Sequence, residues 1–523
     1  MKRREFIAAT TAASIGLVAG RGFASVKAFD VEEATVASLQ AAMEKGEVTA
    51  RDLIVTYINR IKTGDKQTNS MIEINPDALA IAAALDAERK AGKVRGRLHG
   101  IPVVLKDNID TADKTKTTAG SLALMDAPVP KRDASVAEQL RRAGAVILGK
   151  TNLSEWANFR STTSTSGWSG RGGQTRNPYI LDRNPCGSSS GTGAAIAANF
   201  AALGIGTETD GSIVCPSSIC GIVGLKPTVG LISRSGIIPI AESQDTAGPM
   251  TRTVADTARL LSAMTAADAS DPATAKNGTM GRTDYETFLK PDGLKGAVIG
   301  VARDYWGKRT EVDKIMDAAL DVLKKSGATL VDVKFPNLEK FGDAEFEVLK
   351  YEFKDGLEKY LAARGSQYKT LDDLIKFNNE NAAREMPHFK QEIFEASAKL
   401  GPLTSKPYLD ALALSRKLTR EEGIDAAMNK DKLDAIVAPS NAPTWMIDWV
   451  NGDCGSNYIS SSSLAAVAGY PNITVPAGFL RELPIGISFF GKPYTEHKLI
   501  QFAYSFEQAT KARRKPKFLA SAV

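Results

Sequence analysis

The sequence predicts an α/β sandwich in which helices cover both faces of a central sheet. Short, unbroken apolar segments recur along the chain and alternate with helical patterns. Strands that are apolar on both faces are typical of sheets buried between two layers of helices. With 523 residues, of which 43% are apolar and 24% charged, the chain has the size and composition of a globular protein with a large core.

The predicted elements follow one another along the chain. Apolar residues at helical spacing predict helices over residues 31–95. A buried strand is predicted at Ile101–Leu105, and a helix from Ala134 to Ala143 leads into a strand at Ala145–Gly149. Small residues predict a helix from Ala194 to Leu203. Further buried strands are predicted at Ala297–Val301, Thr329–Val333, Ala435–Ala438, Asn472–Pro476 and Pro484–Phe490.

Residues 337–430 are predicted to form a charged, mostly helical block. Glycine is scarce in this block, and its apolar residues recur at helical spacing. We expect most of the following side chains to be the core face of a helix: Tyr351, Phe353, Leu357, Tyr360 and Leu361. A helical cap beside a functional site is the alternative role for this block.

The charge of the chain argues against nucleic-acid binding. The formal net charge is +6, but the first 24 residues hold four basic residues and one acidic residue, which leaves only +3 on the rest. A basic cluster lies between Lys511 and Lys517. We interpret it as the solvated end of the last helix, where cations complement the helix dipole.

Residues 1–28 resemble a twin-arginine export signal. Paired arginines precede an apolar run, Phe6–Gly20, and small residues suit cleavage after Ala24 or Ala28. An ordinary secretory signal or an uncleaved anchor is the alternative. We therefore expect export by the twin-arginine machinery to the periplasm or beyond. No later apolar segment is long enough to predict a membrane span, so no membrane contact is expected after signal removal.

The four cysteines, Cys186, Cys215, Cys220 and Cys454, do not predict a metal site. None belongs to a Cys-x-x-Cys pair or to a histidine cluster. We expect them to be small packing residues in the core. A disulfide is the alternative in an oxidising compartment, but a substrate of the twin-arginine route folds before export, which disfavours it.

Two serine-containing segments and one lysine indicate hydrolytic chemistry. Gly187–Gly193 reads Gly-Ser-Ser-Ser-Gly-Thr-Gly, and Glu208–Ile213 reads Glu-Thr-Asp-Gly-Ser-Ile. Either segment alone is more typical of an ordinary loop. Lys106, however, directly follows a predicted buried strand. A serine nucleophile needs a base, and a buried lysine can serve because burial disfavours the charged amine.

A second serine between the nucleophile and the lysine can carry a proton in both directions. The turn Thr209–Ser212 offers consecutive backbone N–H groups that suit a tetrahedral oxyanion. Histidine is scarce in the chain, with only three residues. We expect no catalytic role for His99, which precedes the lysine strand, and we expect His388 and His497 to lie at the surface.

These motifs resemble those of the amidase signature family, whose members carry Gly-Gly-Ser-Ser-Gly-Gly, then Gly-Gly-Ser-Ile, and a lysine after an apolar strand. The similarity runs from about residue 30 to the C-terminus and includes Gly224–Thr228 and Ala468–Pro471. It implies a three-layer α/β/α sandwich with a large mixed central sheet, no metal and no cofactor. Residues 29–523 would then be a single amidase domain with a helical insertion around 337–430.

The resemblance implies a role for each matching residue. Ser212 would attack an amide carbonyl, Ser188 would bridge, and Lys106 would be the base. Ser189 and Ser190 are the competing candidates for the bridge, although the gapless spacing of the motif favours Ser188.

The resemblance also implies an oxyanion and substrate-binding turn. This turn comprises Thr209, Asp210 and Gly211. In the family the bridging serine follows a cis peptide bond, here Gly187–Ser188, and a non-proline cis bond is rare.

Two departures from the family pattern bear on the substrate. Many members have Gly-Gly-Ser-Ile-Arg, whereas this chain has Asp210 for the first glycine and Val214 for the arginine. A valine cannot pair with a carboxylate, so a small acidic amide is disfavoured. The sequence around the two serine motifs is most similar to that of bacterial peptide amidases, which remove the C-terminal amide group of peptides. Hydrolysis of lipid, aryl or other small amides, the glutamine-amidase subunit of a tRNA-dependent amidotransferase, and a non-catalytic binding protein are the alternatives.

Overall fold

An eleven-stranded mixed sheet forms the centre of the computed structural model, which describes residues 29–454 and 458–522. In space the strands, β1 to β11 in chain order, follow the sequence β1-β3-β2-β4-β6-β5-β10-β11-β9-β7-β8. Strand β2 is parallel to β3 and β4, strand β7 is parallel to β8 and β9, and the other pairings are antiparallel. The strands are Met71–Ile74, Pro102–Lys106, Val146–Thr151, Leu203–Glu208, Val223–Lys226, Thr246–Thr251, Val298–Ala302, Thr329–Val333, Ala435–Pro439, Asn472–Leu480 and Leu483–Phe490.

Helices cover this sheet and complete the α/β/α sandwich, as predicted. The central strands β2 and β4 are buried along their whole length, which requires cover on both faces. The helices α1 to α17, in chain order, are Val36–Glu44, Ala50–Thr68, Ala78–Lys90, Ser135–Arg142, Ser190–Ala197, Val214–Ile219, Val254–Met264, Asn277–Met280, Thr310–Lys325, Gly342–Arg364, Leu371–Glu380, Ala382–Glu385, Glu392–Ala398, Lys406–Arg416, Asp425–Lys430, Ser463–Ala468 and Glu496–Thr510.

All seven predicted strands are present, but four strands of the sheet were not predicted. Strand β1 lies inside the segment 31–95, which was predicted to be helical, and β4, β5 and β6 had no strand prediction. Strand β4 reads Leu-Gly-Ile-Gly-Thr-Glu, and its two glycines lower its strand propensity. Close packing requires both of them. A Cβ at Gly204 would lie 2.6 Å from Cγ2 of Thr192, and a Cβ at Gly206 would lie 2.6 Å from Sδ of Met250.

The predicted helix from Ala194 to Leu203 is wrong at both ends. Helix α5 begins inside the first serine segment, at Ser190, and ends at Ala197. Asn199 then takes a left-handed φ of 59°, and Leu203 already begins β4. The early start places the serine segment against the helix N-terminus rather than in a free loop.

The predicted helical character of residues 337–430 is confirmed. Helices α10 to α15 and a π-helical turn at Lys417–Ile424 occupy this region. Phe353, Leu357 and Leu361 of α10 are buried in an apolar cluster with Trp156, so the interpretation of these side chains as core is correct. The block therefore packs on the segment that follows β3.

The basic cluster after the last helix is not simply solvated, as had been expected. Arg513 pairs with the carboxylate of Glu33 at 2.8 Å and donates to the carbonyl oxygen of Gly221 at 2.7 Å. Lys515 and Lys517 make exposed ion pairs instead. The guanidinium is thus a tie between the two ends of the described chain.

The predicted export signal, residues 1–28, lies outside the described residues. Within the described part of the chain, no helix combines the length and apolar character that a membrane crossing requires.

Candidate active site

Lys106 ends β2 with its amine buried in the centre of the sheet. Its Nζ atom lies 2.7 Å from Oγ of Ser188 and 2.9 Å from Oγ1 of Thr207. Thr207 comes from the neighbouring strand β4, and its Oγ1 also accepts a hydrogen bond from Nδ2 of Asn108 at 2.9 Å. The lysine amine is therefore fixed from two sides, by the serine segment and by β4.

Burial changes the acidity of this lysine. Transfer of the amine out of water lowers the pKa of Lys106 from 10.5 to about 7. The carboxyl groups of Asp245 and Glu208 act in the opposite direction, but the effect of burial is larger. Neither of them forms an ion pair with Lys106 in the described structure. A substantial fraction of the amine is neutral near pH 7 as a result.

Ser188 joins the lysine to the second serine segment. Its Oγ lies 2.9 Å from Oγ of Ser212, and the expected cis peptide bond at Gly187–Ser188 is present. Backbone hydrogen bonds hold the segment on both sides. Ser154 N–H donates to the Ser188 carbonyl oxygen at 3.0 Å, and Ser189 N–H donates to the Ser212 carbonyl oxygen at 3.1 Å.

The two competing bridge candidates point elsewhere. Oγ of Ser189 donates to the carbonyl oxygen of Thr207 at 3.0 Å, which attaches this serine to β4. Oγ of Ser190 lies 3.3 Å from Oγ of Ser154. Neither hydroxyl contacts Ser212. The structure thus gives one continuous chain of polar groups, Lys106 to Ser188 to Ser212.

The turn that carries Ser212 presents free backbone donors. Gly211 has a φ of +76°, a left-handed conformation that favours glycine. Among the described residues, the N–H groups of Asp210, Gly211 and Ser212 donate no hydrogen bond. Such a set of adjacent N–H groups beside a hydroxyl can stabilise the negative oxygen of a tetrahedral intermediate. The hydroxyl of Thr209 donates a hydrogen bond to the carboxyl group of Asp245, which holds this end of the turn.

Glu208 shapes this turn and was missed in the sequence analysis. Its Oε2 accepts hydrogen bonds from the N–H groups of Ile213 at 2.7 Å and Val214 at 2.9 Å, at the start of α6. A carboxylate at a helix N-terminus is favourable. Its two hydrogen bonds engage the N–H groups that directly follow the three free ones. Burial raises the pKa of Glu208. Its position four residues before the serine, at the end of strand β4, is the sequence signal for it.

A cavity of about 420 Å³ opens beside the two serines. Its wall includes Gly187 and Gly211, which directly precede Ser188 and Ser212. The described residues of the wall hold two carboxyl groups, Asp210 and Asp453, and no cation. The remaining described wall residues are polar, aromatic or sulfur-containing: Cys186, Cys215, Trp445, Tyr458, Ser460, Ser462 and Ser463.

Two cysteines in this wall form a disulfide, so the expectation that they are unbonded packing residues is wrong for them. Cys186 and Cys215 are 29 residues apart in sequence, but the first serine segment and α6 bring their Cα atoms within 6.0 Å. Cys220 is a buried free thiol, as expected, whereas Cys454 is free but exposed. Sequence spacing alone could not show this proximity.

The histidines lie outside this arrangement. Nε2 of His99 lies 2.9 Å from the carbonyl oxygen of Leu85, and its ring makes no bond to either serine. His388 is half-buried and stacks on Trp449, so it is not the simple surface residue that was expected. His497 is half-buried as well, beside Phe288. No group of His, Cys, Asp and Glu side chains in the described chain is arranged to hold a metal ion.

Comparison with known proteins agrees with this geometry. The family model described as Amidase matches residues 52–500. The native peptide amidase of Stenotrophomonas maltophilia has a solved structure that superposes with a TM-score of 0.88 at 48% sequence identity, over 93% of this chain and 99% of that one. A probable amidase of Arabidopsis thaliana is 40% identical over 94% of this chain and 93% of its own length. One component of the glutamyl-tRNA(Gln) amidotransferase of Thermoanaerobacter pseudethanolicus is 34% identical over 93% of this chain and 99% of its own length.

The chain belongs to the amidase signature family. It is an amide hydrolase with the α/β/α fold of that family.

Thr207 provides the first test of the site. Replacement of Thr207 by valine preserves its shape but removes the Oγ1 that holds Lys106 and Asn108. We expect kcat for amide hydrolysis to fall about 10- to 100-fold, which corresponds to the loss of one or two hydrogen bonds to a charged or buried group. Thr207→Ser keeps the hydroxyl and is the matched control. Equal kcat values for Thr207→Val and the wild type would show that β4 does not position the lysine.

Proposed function

We propose that this enzyme releases ammonia from the C-terminal amide of peptides by a Ser-Ser-Lys mechanism. The observation that carries the proposal is the continuous chain from Lys106 through Ser188 to Ser212, which ends at a cavity with free backbone donors. The family, in which this mechanism is general, supports the same assignment of roles.

The first half of the reaction transfers the acyl group to the enzyme. Oγ of Ser212 attacks the amide carbonyl and gives its proton to Ser188. Ser188 in turn gives its own proton to the neutral amine of Lys106. The carbonyl oxygen becomes negative and receives hydrogen bonds from the free N–H groups of the Asp210–Ser212 turn. The proton on the lysine then returns through Ser188 to the amide nitrogen. Cleavage of the C–N bond leaves an ester on Ser212 and releases ammonia.

The second half regenerates the enzyme by the same relay. A water molecule takes the place of ammonia and gives up a proton through Ser188 to Lys106 as it attacks the ester. The proton returns to Oγ of Ser212 when the ester bond breaks. The products are a carboxylic acid and the free serine, and no external redox partner or cofactor takes part in the balance.

The cavity supports a neutral amide as substrate. The described cavity wall holds two acidic side chains and no cation to bind a substrate carboxylate, and Val214, in place of the family's arginine, offers none either. The rings of Trp445 and Tyr458 have centroids 5.5 Å apart and an interplanar angle of 80°. They present apolar surface to a substrate side chain next to the amide. Similarity to a peptide amidase over almost the whole chain favours a peptide among the neutral amides.

The same features disfavour the alternatives to different degrees. Similarity to a component of a glutamyl-tRNA(Gln) amidotransferase admits glutamine as a substrate, but a glutamine carboxylate would meet the two acidic wall residues. Lipid and aryl amides would use the same polar chain and differ only in how they fill the cavity. A non-catalytic role leaves the arrangement of Lys106, Ser188 and Ser212 without a purpose.

Release of ammonia from a panel of amides tests the substrate. We expect turnover of a peptide with a C-terminal amide, no ammonia release from the same peptide as the free acid, and little from glutamine or a fatty amide. Ser212→Ala should abolish both turnover and labelling by a fluorophosphonate, which reacts with activated serines. Turnover of glutamine or the fatty amide alone would overturn the peptide assignment but keep the mechanism. Wild-type turnover by Ser212→Ala would overturn the mechanism.

The pH dependence of kcat/KM tests the role of Lys106. Only the neutral amine accepts a proton, so activity should rise with pH, with a midpoint at the lysine pKa of about 7. A lysine at its ordinary value would place the midpoint above pH ~10. The rate of fluorophosphonate labelling should follow the same curve, and circular dichroism should show an unchanged fold across this range. A flat profile between about pH 6 and pH 9 would exclude Lys106 as the titrating base.

We also propose that the chain is exported through the twin-arginine machinery to the periplasm or beyond. The paired arginines before the apolar run Phe6–Gly20 support this route. In a bacterial host that has this machinery, the double variant Arg3→Lys/Arg4→Lys should accumulate in the cytoplasm, while the control Arg21→Lys is exported like the wild type. Normal export of the double variant would instead indicate an ordinary secretory signal.

A further inference from the structure

A disulfide joins the two segments that carry the serines. Cys186 precedes the peptide unit Gly187–Ser188, and Cys215 lies in the first turn of α6, three residues after Ser212. The bond therefore joins the same two segments as the contact between the two serine hydroxyls, which are 2.9 Å apart. It is the one covalent link between these segments besides the chain itself.

Each cysteine is also held by a local backbone hydrogen bond of its own. Cys186 N–H donates to Oδ1 of Asn184 at 2.8 Å, and Cys215 N–H donates to the Gly211 carbonyl oxygen at 2.7 Å. Cys186 also has a φ of 60°, in the left-handed region that non-glycine residues rarely adopt. A strained backbone of this kind persists only where its surroundings hold it. Through the disulfide, this strained residue is bonded directly to helix α6.

Besides the disulfide, apolar packing of the half-cystines with Ile219 and Trp445 and a backbone hydrogen bond hold the serine segments together at this end. The Ser189 N–H bond to the Ser212 carbonyl oxygen, at 3.1 Å, is the neighbouring backbone contact. The disulfide also borders the cavity beside the serines, whose wall includes both half-cystines. The disulfide is therefore the covalent part of the contact between the two segments at the edge of this cavity.

We propose that the Cys186–Cys215 disulfide positions Ser188 against Ser212 for proton transfer. The inference rests on the proposed roles of these serines. Proton transfer between two hydroxyls requires hydrogen-bond distance, and misplacement by about 1 Å can reduce turnover about 100-fold. Cys186 and Cys215 are thus positioning residues, and the enzyme reaches full turnover only in compartments where a disulfide persists.

The double variant Cys186→Ala/Cys215→Ala tests this role. We expect the rate constant of fluorophosphonate labelling at Ser212 and kcat both to fall about 10- to 100-fold, with a smaller change in KM. Labelling needs no amide substrate, so it tests the positioning even if the peptide assignment fails. Cys454→Ser, which removes an exposed free thiol, is the matched control and should behave like the wild type. Labelling and kcat within twofold of the wild type in the double variant would overturn the proposal.

Reversible reduction of the native enzyme provides a second measurement that does not depend on how the variant folds. Dithiothreitol, a dithiol reductant, should lower the labelling rate of folded wild-type enzyme, and reoxidation should restore it. Circular dichroism during reduction separates positioning from unfolding. Full activity with alkylated Cys186 and Cys215 would overturn the proposal, as would a loss of activity that only follows loss of fold. Persistent labelling of Ser212→Ala would instead identify a failure of the proposed mechanism.

Discussion

Burial of one amine at the end of β2 is the constraint on which the active site depends. Lys106 can act as a base near neutral pH because the sheet removes its Nζ from water without supplying an ion-pair partner within the described structure. A salt bridge at this place would keep the amine charged and unable to accept a proton. The structure instead surrounds it with hydroxyl and carbonyl groups from β4 and from the serine segment. These neighbours accept hydrogen bonds from the amine but do not fix its charge.

The small residues of the site follow from this burial. Strand β4 packs closely against helix α5 at Gly204 and against Met250 and Ser189 at Gly206, and the next residue, Thr207, contacts the lysine. Gly191 in the first turn of α5 faces the backbone of Asn152, where a Cβ would collide. The glycine- and serine-rich composition, which resembles that of a flexible loop, is therefore a requirement of dense packing.

The substrate cavity and the relay share the same walls. Asp210 contributes a carboxyl to the cavity, and its N–H is one of the free donors beside Ser212. The disulfide likewise faces the cavity and connects the segments that carry the serines. The proposed preference for neutral amides and the proposed proton transfer therefore depend on the same few residues.

The sequence by itself determined the fold class, seven strands and the family, and it singled out Lys106, Ser188 and Ser212, which the structure joins by hydrogen bonds. Uninterrupted apolar strands and the two serine motifs are local patterns, and local patterns can be read from one chain. Only the tertiary structure decided the rest. Strand β4 could not be predicted because close packing with its neighbours requires two glycines. Glu208 holds the serine turn by hydrogen bonds that only the folded chain forms. Cys186 and Cys215 are brought together by the position of α6. Each of these depends on contacts between segments that are distant along the chain, or on packing that imposes residues of low intrinsic propensity.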